Sequence, residues 1–79
     1  MTTIEDFAVR CDVGEMYLES DDEKEQRRGV EIIGDLAIEG YSQAQVMLGF
    51  LYMNGYHVPQ NTDKALKWFK KADEQGDAD

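Results

Sequence analysis

Side chains suited to catalysis or to metal binding are few in this sequence. It contains one cysteine, Cys11, and one histidine, His57, far apart in the chain. A nucleophilic mechanism needs a thiol, hydroxyl or amine beside a base, and a zinc site needs His or Cys ligands at short spacing. Neither pattern is present, so a structural role is favoured for both residues. We therefore expect no enzyme activity, no catalytic residue, no metal site and no cofactor.

A run of acidic residues, Asp21-Asp22-Glu23, is the other candidate for chemistry. A calcium-binding loop alternates its oxygen ligands and carries a central glycine, and this run has neither feature. Acidic side chains also stabilise the positive end of a helix dipole. The run is therefore interpreted as the start of a helix.

Helix start and stop signals divide the chain into four segments. Capping signals, three of them Ser or Thr followed three positions later by Glu or Gln, occur at Thr2, Ser20, Ser42 and Asn61. Glycines stand where left-handed helix ends are expected, at Gly40, Gly55 and Gly76. The spacing predicts helices over residues 3–18, 22–39, 42–54 and 62–75.

Apolar periodicity supports helices and singles out the third segment. That segment is apolar on almost all sides, which predicts a central position or an exposed apolar surface for a partner. In the fourth segment, Trp68 and Phe69 have helical spacing and are interpreted as packing residues rather than as a ligand box.

One structural unit occurs twice in the chain. At an offset of 35 positions the matching pairs are Gly14 and Gly49, Tyr17 and Tyr52, Val30 and Ala65, and Ala37 and Ala72. A glycine inside each first helix lets another backbone approach closely. Such a unit is expected to stack on its neighbour.

These residues resemble the Sel1-like repeat, a relative of the tetratricopeptide repeat with a longer turn. Two runs carry the resemblance: Ala44-x-x-x-Leu48-Gly49-x-Leu51-Tyr52-x-x-Gly55 and Asp63-x-Ala65-x-x-Trp68-x-x-Lys71-Ala72-x-x-Gln75-Gly76-x-Ala78. The family's turn usually reads Gly-x-Gly-Val, and here His57 occupies the second glycine position, which predicts a histidine with positive φ. The first repeat is degenerate, because Glu19-Ser20-Asp21-Asp22 replaces the glycine-rich turn.

The resemblance implies an all-α fold, an α-α superhelix or short solenoid of two antiparallel helix pairs with four helices. Residues 1–79 are then a single domain, with repeat one at about 3–40 and repeat two at about 42–77. The resemblance also implies an adaptor role, because proteins of this family typically assemble other proteins on the inner surface of the array. Some secreted members with paired cysteines are linked to penicillin binding or β-lactam hydrolysis, and the single Cys11 argues against that branch.

The charge of the chain points to the kind of partner. Seventeen acidic and eight basic residues give a net charge of −9, and residues 1–40 alone carry −8. This balance disfavours nucleic acid and anionic membranes and favours a basic protein. The alternative is that the charge only keeps a small protein soluble. No apolar run reaches about 18 residues and the N-terminal residues do not resemble a signal peptide, so we expect a cytoplasmic protein.

In the tetratricopeptide arrangement the first helix of each repeat lines the concave face. The register of Gly14 and Gly49 then predicts a protein-binding site formed by Glu15, Leu18, Glu19, Gln43, Val46, Phe50, Met53 and Asn54. Carboxylates beside apolar groups suit a basic, partly apolar segment of a partner. Glu15 and Glu19 lie near a helix C-terminus, where an acidic side chain is unfavourable by about 0.3–1 kcal/mol, and such a local conflict favours a functional role.

Two alternatives remain open at the level of the sequence. In the first, the apolar members of the predicted site pack within the monomer or in a homodimer instead of binding another protein. A homodimer is expected because stacked repeats usually need about three units for stability. The protein is alternatively an antitoxin-like or immunity-type inhibitor whose acidic face covers a basic enzyme.

Overall fold

A computed structural model describes residues 4–76 of the protein. These residues form four helices and no strand: α1 (Ile4–Leu18), α2 (Glu23–Glu39), α3 (Ser42–Asn54) and α4 (Thr62–Gly76). The all-α prediction is confirmed, and the other helix boundaries lie within one residue of the prediction, while the predicted start of the first helix at residue 3 lies outside the described residues. The capping signal predicted at Thr2 lies outside the described residues.

The helices pack in the order in which they occur along the chain. α1 packs on α2, α2 on α3 and α3 on α4, which gives two antiparallel hairpins side by side. The Cα atoms fill a slab of 39 × 32 × 14 Å. The molecule is therefore much thinner in one direction than in the other two.

The two serine capping boxes predicted from the sequence are wrong. The side chain of Asp22 caps α2 by accepting a hydrogen bond from the Lys24 backbone N–H at 2.9 Å, while the Ser20 hydroxyl donates to Glu25. Ser42 is the first residue of α3, and the residue before it makes no side-chain cap. The Asn61 cap is confirmed, since its side-chain oxygen accepts the Lys64 N–H at 3.0 Å.

Left-handed residues end α2 and α3 as predicted. Gly40 has a φ of 104° and Gly55 a φ of 68°. His57 has a φ of 62°, which confirms the expectation for the family's second turn glycine. Because a β-carbon is strained in this region, glycine is favoured at the end of α2 and at the end of α3, and the turn after α3 also accommodates a histidine.

One apolar core joins the first hairpin to α3. Its buried members are Cys11, Ile33, Leu36, Ala37, Ala44, Leu48 and Leu51. Trp68 of α4 packs against this cluster, in agreement with its predicted role. α3 is buried on the sides that face α2 and α4, so its nearly continuous apolar sequence reflects a central position.

Gln45 is the buried polar residue that ties the hairpins together. Its side-chain amide donates to the Ala37 carbonyl at 3.0 Å, and its oxygen accepts from the Gln75 amide at 2.8 Å. The side chain thus links the C-terminal turn of α2 to α4 through α3. Within the described residues, no buried side-chain nitrogen or oxygen lacks a hydrogen-bond partner.

Candidate protein-binding surface

The side of α1 that carries acidic residues is one candidate surface. Asp12, Glu15 and Glu19 are spaced by three and four positions, which places them on one side of the helix and of the turn after it. Asp12 and Glu19 are exposed and Glu15 is half-buried. We call this trio the acidic face of α1. The sequence predicted Glu15 and Glu19 and missed Asp12, although its spacing from Glu15 already signals a shared side.

α3 contributes an exposed aromatic residue to the candidate surface. Phe50 is 54% exposed, although its ring contacts Phe69 edge-to-face with centroids 5.2 Å apart. Asn54 lies one turn later and donates from its side chain to the Phe50 carbonyl at 3.0 Å. Gln43 is also exposed and lies on the same side of α3 as Phe50. These three predicted residues are therefore accessible to a partner.

The other three predicted residues are placed differently. A methyl carbon of Leu18 lies against Gly29, so Leu18 packs between α1 and α2. Val46 lines a groove between α3 and α4 together with Gln43. Met53 is half-buried, and its carbonyl accepts the Gln60 amide at 2.8 Å. The eight residues thus divide between an accessible surface, a groove and the helix packing.

Cys11 is a buried thiol between the hairpins. Its sulfur lies 3.3 Å from the sulfur of Met47 in α3. Burial raises the pKa of the thiol above its ordinary value, and the charges of Glu15 and Asp12 raise this pKa further. The thiol is therefore held in its neutral form, which is a poor nucleophile.

We expect alkylation of Cys11 by iodoacetamide to be slow in the folded protein. A rate on the order of 100-fold below that in denaturant corresponds to a local opening of about 2.7 kcal/mol. Met47→Ala removes the sulfur that covers the thiol and is expected to speed the reaction. Met16→Ala, at an exposed methionine of the same helix as Cys11, is the control and is expected to leave the rate unchanged. Equal rates with and without denaturant would contradict the buried position.

An ion pair connects the two helices of the first hairpin. Arg10 donates to both carboxylate oxygens of Glu39, at 2.8 and 3.3 Å. The hydrogen bond from the guanidinium lowers the pKa of the Glu39 carboxyl, and the positive charge adds to this effect. Both side chains are exposed, so the pair contributes little to stability and Arg10 is free to exchange partners.

A groove lined by lysines and aromatic rings lies on the second hairpin and was missed at the level of the sequence. Its volume is about 300 Å³, and it is lined by Tyr52, Lys64, Lys67, Trp68 and Lys71. The Lys64 ammonium lies 5.3 Å from the Tyr52 ring centroid, and that of Lys71 lies 5.9 Å from the Trp68 centroid. The spacing of these three lysines, by three and four positions, is the sequence signal that could have revealed the groove. The molecule therefore has an acidic first hairpin and a basic groove on the second hairpin.

The turn that contains His57 forms a smaller groove. It has a volume of about 200 Å³ and is lined by Glu23, Gln26, Arg27 and His57. No group of three or more His, Cys, Asp or Glu residues in the described part of the chain is arranged to hold a metal ion. Among residues 4–76, no helix is long and apolar enough to cross a membrane.

Comparison with known proteins gives two similarities. The model of the Sel1 repeat family matches residues 42–77. The crystal structure of a Sel1 repeat protein from Oxalobacter formigenes is similar, with a TM-score of 0.83 and 35% sequence identity over 89% of this chain. The match covers 20% of that protein, so this chain spans about one fifth of its length. No curated protein matches the chain.

Proposed function

The chain belongs to the Sel1 repeat family, whose members generally serve as protein-interaction modules, and from this premise we propose that it is an adaptor that binds a basic, partly apolar segment of another protein. The binding surface in this proposal is the concave face of the array, formed by the first helices of the two hairpins. The proposal treats residues 1–79 as one domain of two repeats. It includes a cytoplasmic location, which suits a single buried cysteine without a disulfide partner.

The exposed ring of Phe50 is the observation that carries the proposal. At the repeat offset of 35, Phe50 corresponds to Glu15 and Asn54 to Glu19. Equivalent positions of stacked repeats face the same side of the array. The acidic face of α1 and the exposed residues of α3 then form one surface with a charged half and an aromatic half.

Such a surface suits a partner segment with Arg or Lys beside a large apolar residue. Charge complementarity between exposed groups mainly governs the rate of encounter, whereas a buried aromatic contact governs how long the complex lasts. The two halves of the surface are therefore expected to have separable kinetic effects.

The proposal is tested with a peptide selected on the immobilised protein from a random peptide library. We expect the selected peptides to combine Arg or Lys with a large apolar residue. Glu15→Lys with Glu19→Lys is expected to slow association and to flatten its salt dependence, since exposed charges are screened within about 10 Å at 0.1 M salt. Phe50→Ala is expected to speed dissociation by a factor corresponding to about 2 kcal/mol.

A matched control separates local charge from net charge. Glu31→Lys with Glu74→Lys makes the same change in net charge at exposed positions of α2 and α4. We expect this variant to bind the peptide nearly as the unmodified protein does. Circular dichroism verifies that each variant is folded. If neither the Glu15 and Glu19 variant nor Phe50→Ala changes the binding kinetics, the concave surface is not the binding site.

A second candidate function rests on the uneven charge of the chain. The net charge of −8 within residues 1–40 favours an inhibitor of the antitoxin or immunity type, whose acidic face covers the active site of a basic enzyme. The two functions predict different effects on the catalytic activity of the partner. A partner recovered from the native host whose catalytic activity falls on addition of this protein would favour the inhibitor.

A further inference from the structure

Two apolar surfaces of the molecule lie on opposite sides of the stack of helices. Val9, Val13 and Met16 of α1 are 61%, 38% and 69% exposed, and their spacing of four and three positions puts them on one side of the helix. We call these three residues the α1 stripe. The other surface is the groove between α3 and α4, with a volume of about 340 Å³, lined by Ser42, Gln43, Val46, Phe69, Ala72 and Asp73.

The α1 stripe corresponds to residues that are buried in the second hairpin. The offset of 35 that relates Gly14 to Gly49 also relates the stripe to Ala44, Leu48 and Leu51 of α3. These three residues are buried in one core with Cys11, Ile33, Leu36 and Ala37 of the first hairpin. The stripe is thus the counterpart of the side of α3 that docks on a preceding hairpin.

The groove corresponds to the side of the first hairpin on which α3 docks. There the Cys11 sulfur meets Met47, and the Ala37 carbonyl accepts the hydrogen bond from Gln45. The same offset relates Cys11 to Val46 and Ala37 to Ala72, and both of these equivalents line the groove. Each surface is therefore one half of an interface that the molecule already contains.

We propose that a second copy of this chain docks its α1 stripe in the α3–α4 groove and so repeats the contact between the first hairpin and α3. The inference depends on the equivalence of the two hairpins and not on the concave surface proposed above. Val9, Val13 and Met16 of the second copy would take the places of Ala44, Leu48 and Leu51.

Charge supports a second copy as the occupant of the groove. The offset relates Arg10 to Gln45, so Arg10 of the docking copy would stand opposite the Ala72 carbonyl and near Asp73 of the groove. A guanidinium donates to a carbonyl or a carboxylate as an amide does to a carbonyl. Within one molecule Arg10 pairs with Glu39 at an exposed site, so breaking this ion pair costs little free energy.

One sequence difference between the two repeats weakens the proposed contact between copies. Asp12 takes the place of Met47, so a carboxylate would face Val46 where two sulfur atoms meet within the molecule. The association is therefore expected to be weaker than the contact between the hairpins. Because the two surfaces differ, a docked pair of copies still has one free stripe and one free groove, and the assembly grows as a chain.

The test is sedimentation equilibrium of the full chain from about 10 µM to 1 mM. We expect the average mass to rise with concentration beyond twice the 9.0 kDa of one chain. Met16→Lys blocks the stripe, and Val46→Lys blocks the groove. Each variant alone is expected to stay monomeric. Asp73→Lys, at an exposed position that would repel Arg10, is a second groove variant that leaves the core unchanged.

Mixing the blocked variants gives the decisive result. The Met16→Lys chain keeps its groove and the Val46→Lys chain keeps its stripe, so an equimolar mixture is expected to reach the mass of a dimer and no more. Ile38→Lys is the control, because Ile38 is 75% exposed but lies in neither surface, and it is expected to associate like the unmodified chain.

Three outcomes would overturn the proposal. The first is an unmodified chain that stays monomeric over the whole concentration range. The second is association that persists in Met16→Lys while Val46→Lys abolishes it, which indicates a symmetric groove-to-groove dimer. The third is a mixture of the two blocked variants that stays monomeric while each variant remains folded by circular dichroism.

Discussion

Replacing Gly29 with alanine is expected to destabilise the fold by about 2–3 kcal/mol. A β-carbon at this position of α2 would lie 2.8 Å from the Gly14 carbonyl oxygen and 2.9 Å from the Leu18 nitrogen in α1. Both atoms belong to the backbone, so no side-chain rotation relieves the contact and the two helices must separate. The melting temperature is expected to fall by about 8–24 °C, since 1 kcal/mol shifts a domain of this size by about 4–8 °C.

Gly34→Ala is the matched control for this substitution. Gly34 lies in the same helix, but a β-carbon there would have no atom within 4 Å. Alanine is the better helix former by about 0.5–1 kcal/mol, so Gly34→Ala is expected to raise the melting temperature. Thermal unfolding followed by circular dichroism compares the two. A Gly29→Ala variant as stable as Gly34→Ala would show that α1 and α2 are farther apart than described.

Gly49→Leu is expected to destabilise the second hairpin by overpacking, by about 1–3 kcal/mol. A β-carbon on Gly49 would lie 2.6 Å from a ring carbon of Phe69 in α4. Unlike the atoms around Gly29, this ring belongs to a side chain that also contacts the exposed Phe50. Part of the strain is therefore relieved by ring movement, at the expense of that aromatic contact.

A double-mutant cycle with Phe69→Leu tests the cause of the Gly49→Leu effect. The smaller side chain leaves room for the leucine at position 49, so the double variant is expected to be more stable than the sum of the single effects predicts. Coupling energies of contacting residues are about 0.5–3 kcal/mol. Strictly additive effects, or an unchanged melting temperature of Gly49→Leu alone, would refute the contact.

Local signals in the sequence were sufficient to predict the helices. Gly40, Gly55 and Asn61 end or begin helices for reasons that involve only a few neighbouring residues, and all three predictions are confirmed. The repeat offset predicted the pairing of helices because a repeated unit buries its apolar side on its neighbour. The Sel1 repeat identified from residues such as Gly49 and Tyr52 is also confirmed.

The sequence could not predict which of several nearby polar side chains caps a helix. Ser20 and Asp22 both offer a cap for α2, but it is the Asp22 carboxylate that accepts the Lys24 N–H, while the Ser20 hydroxyl accepts the Asp22 N–H and donates to Glu25. Gln45 fits a capping box in the sequence, yet its side chain points inward to Ala37 and Gln75. Both outcomes depend on contacts with residues from other turns or helices.

The candidate surface was predictable in its chemistry but not in its extent. The register of Gly14 and Gly49 in the tetratricopeptide arrangement placed Phe50 and Glu19 in the predicted site, and both side chains are exposed. It could not show that Leu18 packs on Gly29, because that contact depends on how closely α1 approaches α2. The lysine groove of α4 was missed for a similar reason, since Tyr52 reaches it from another helix.

The packing of the helices in chain order also determines how the molecule opens. α1 and α4 each have one principal neighbour, whereas α2 and α3 are covered on two sides. In such a linear array, detaching an outer helix breaks one helix–helix interface. Its free energy cost is therefore smaller than the free energy of global unfolding. Backbone amides of α1 are therefore expected to exchange with solvent faster than those of α2 and α3. A partner that binds the acidic face of α1, as proposed, would hold that helix in place, so the local stability of the protein would report whether the surface is occupied.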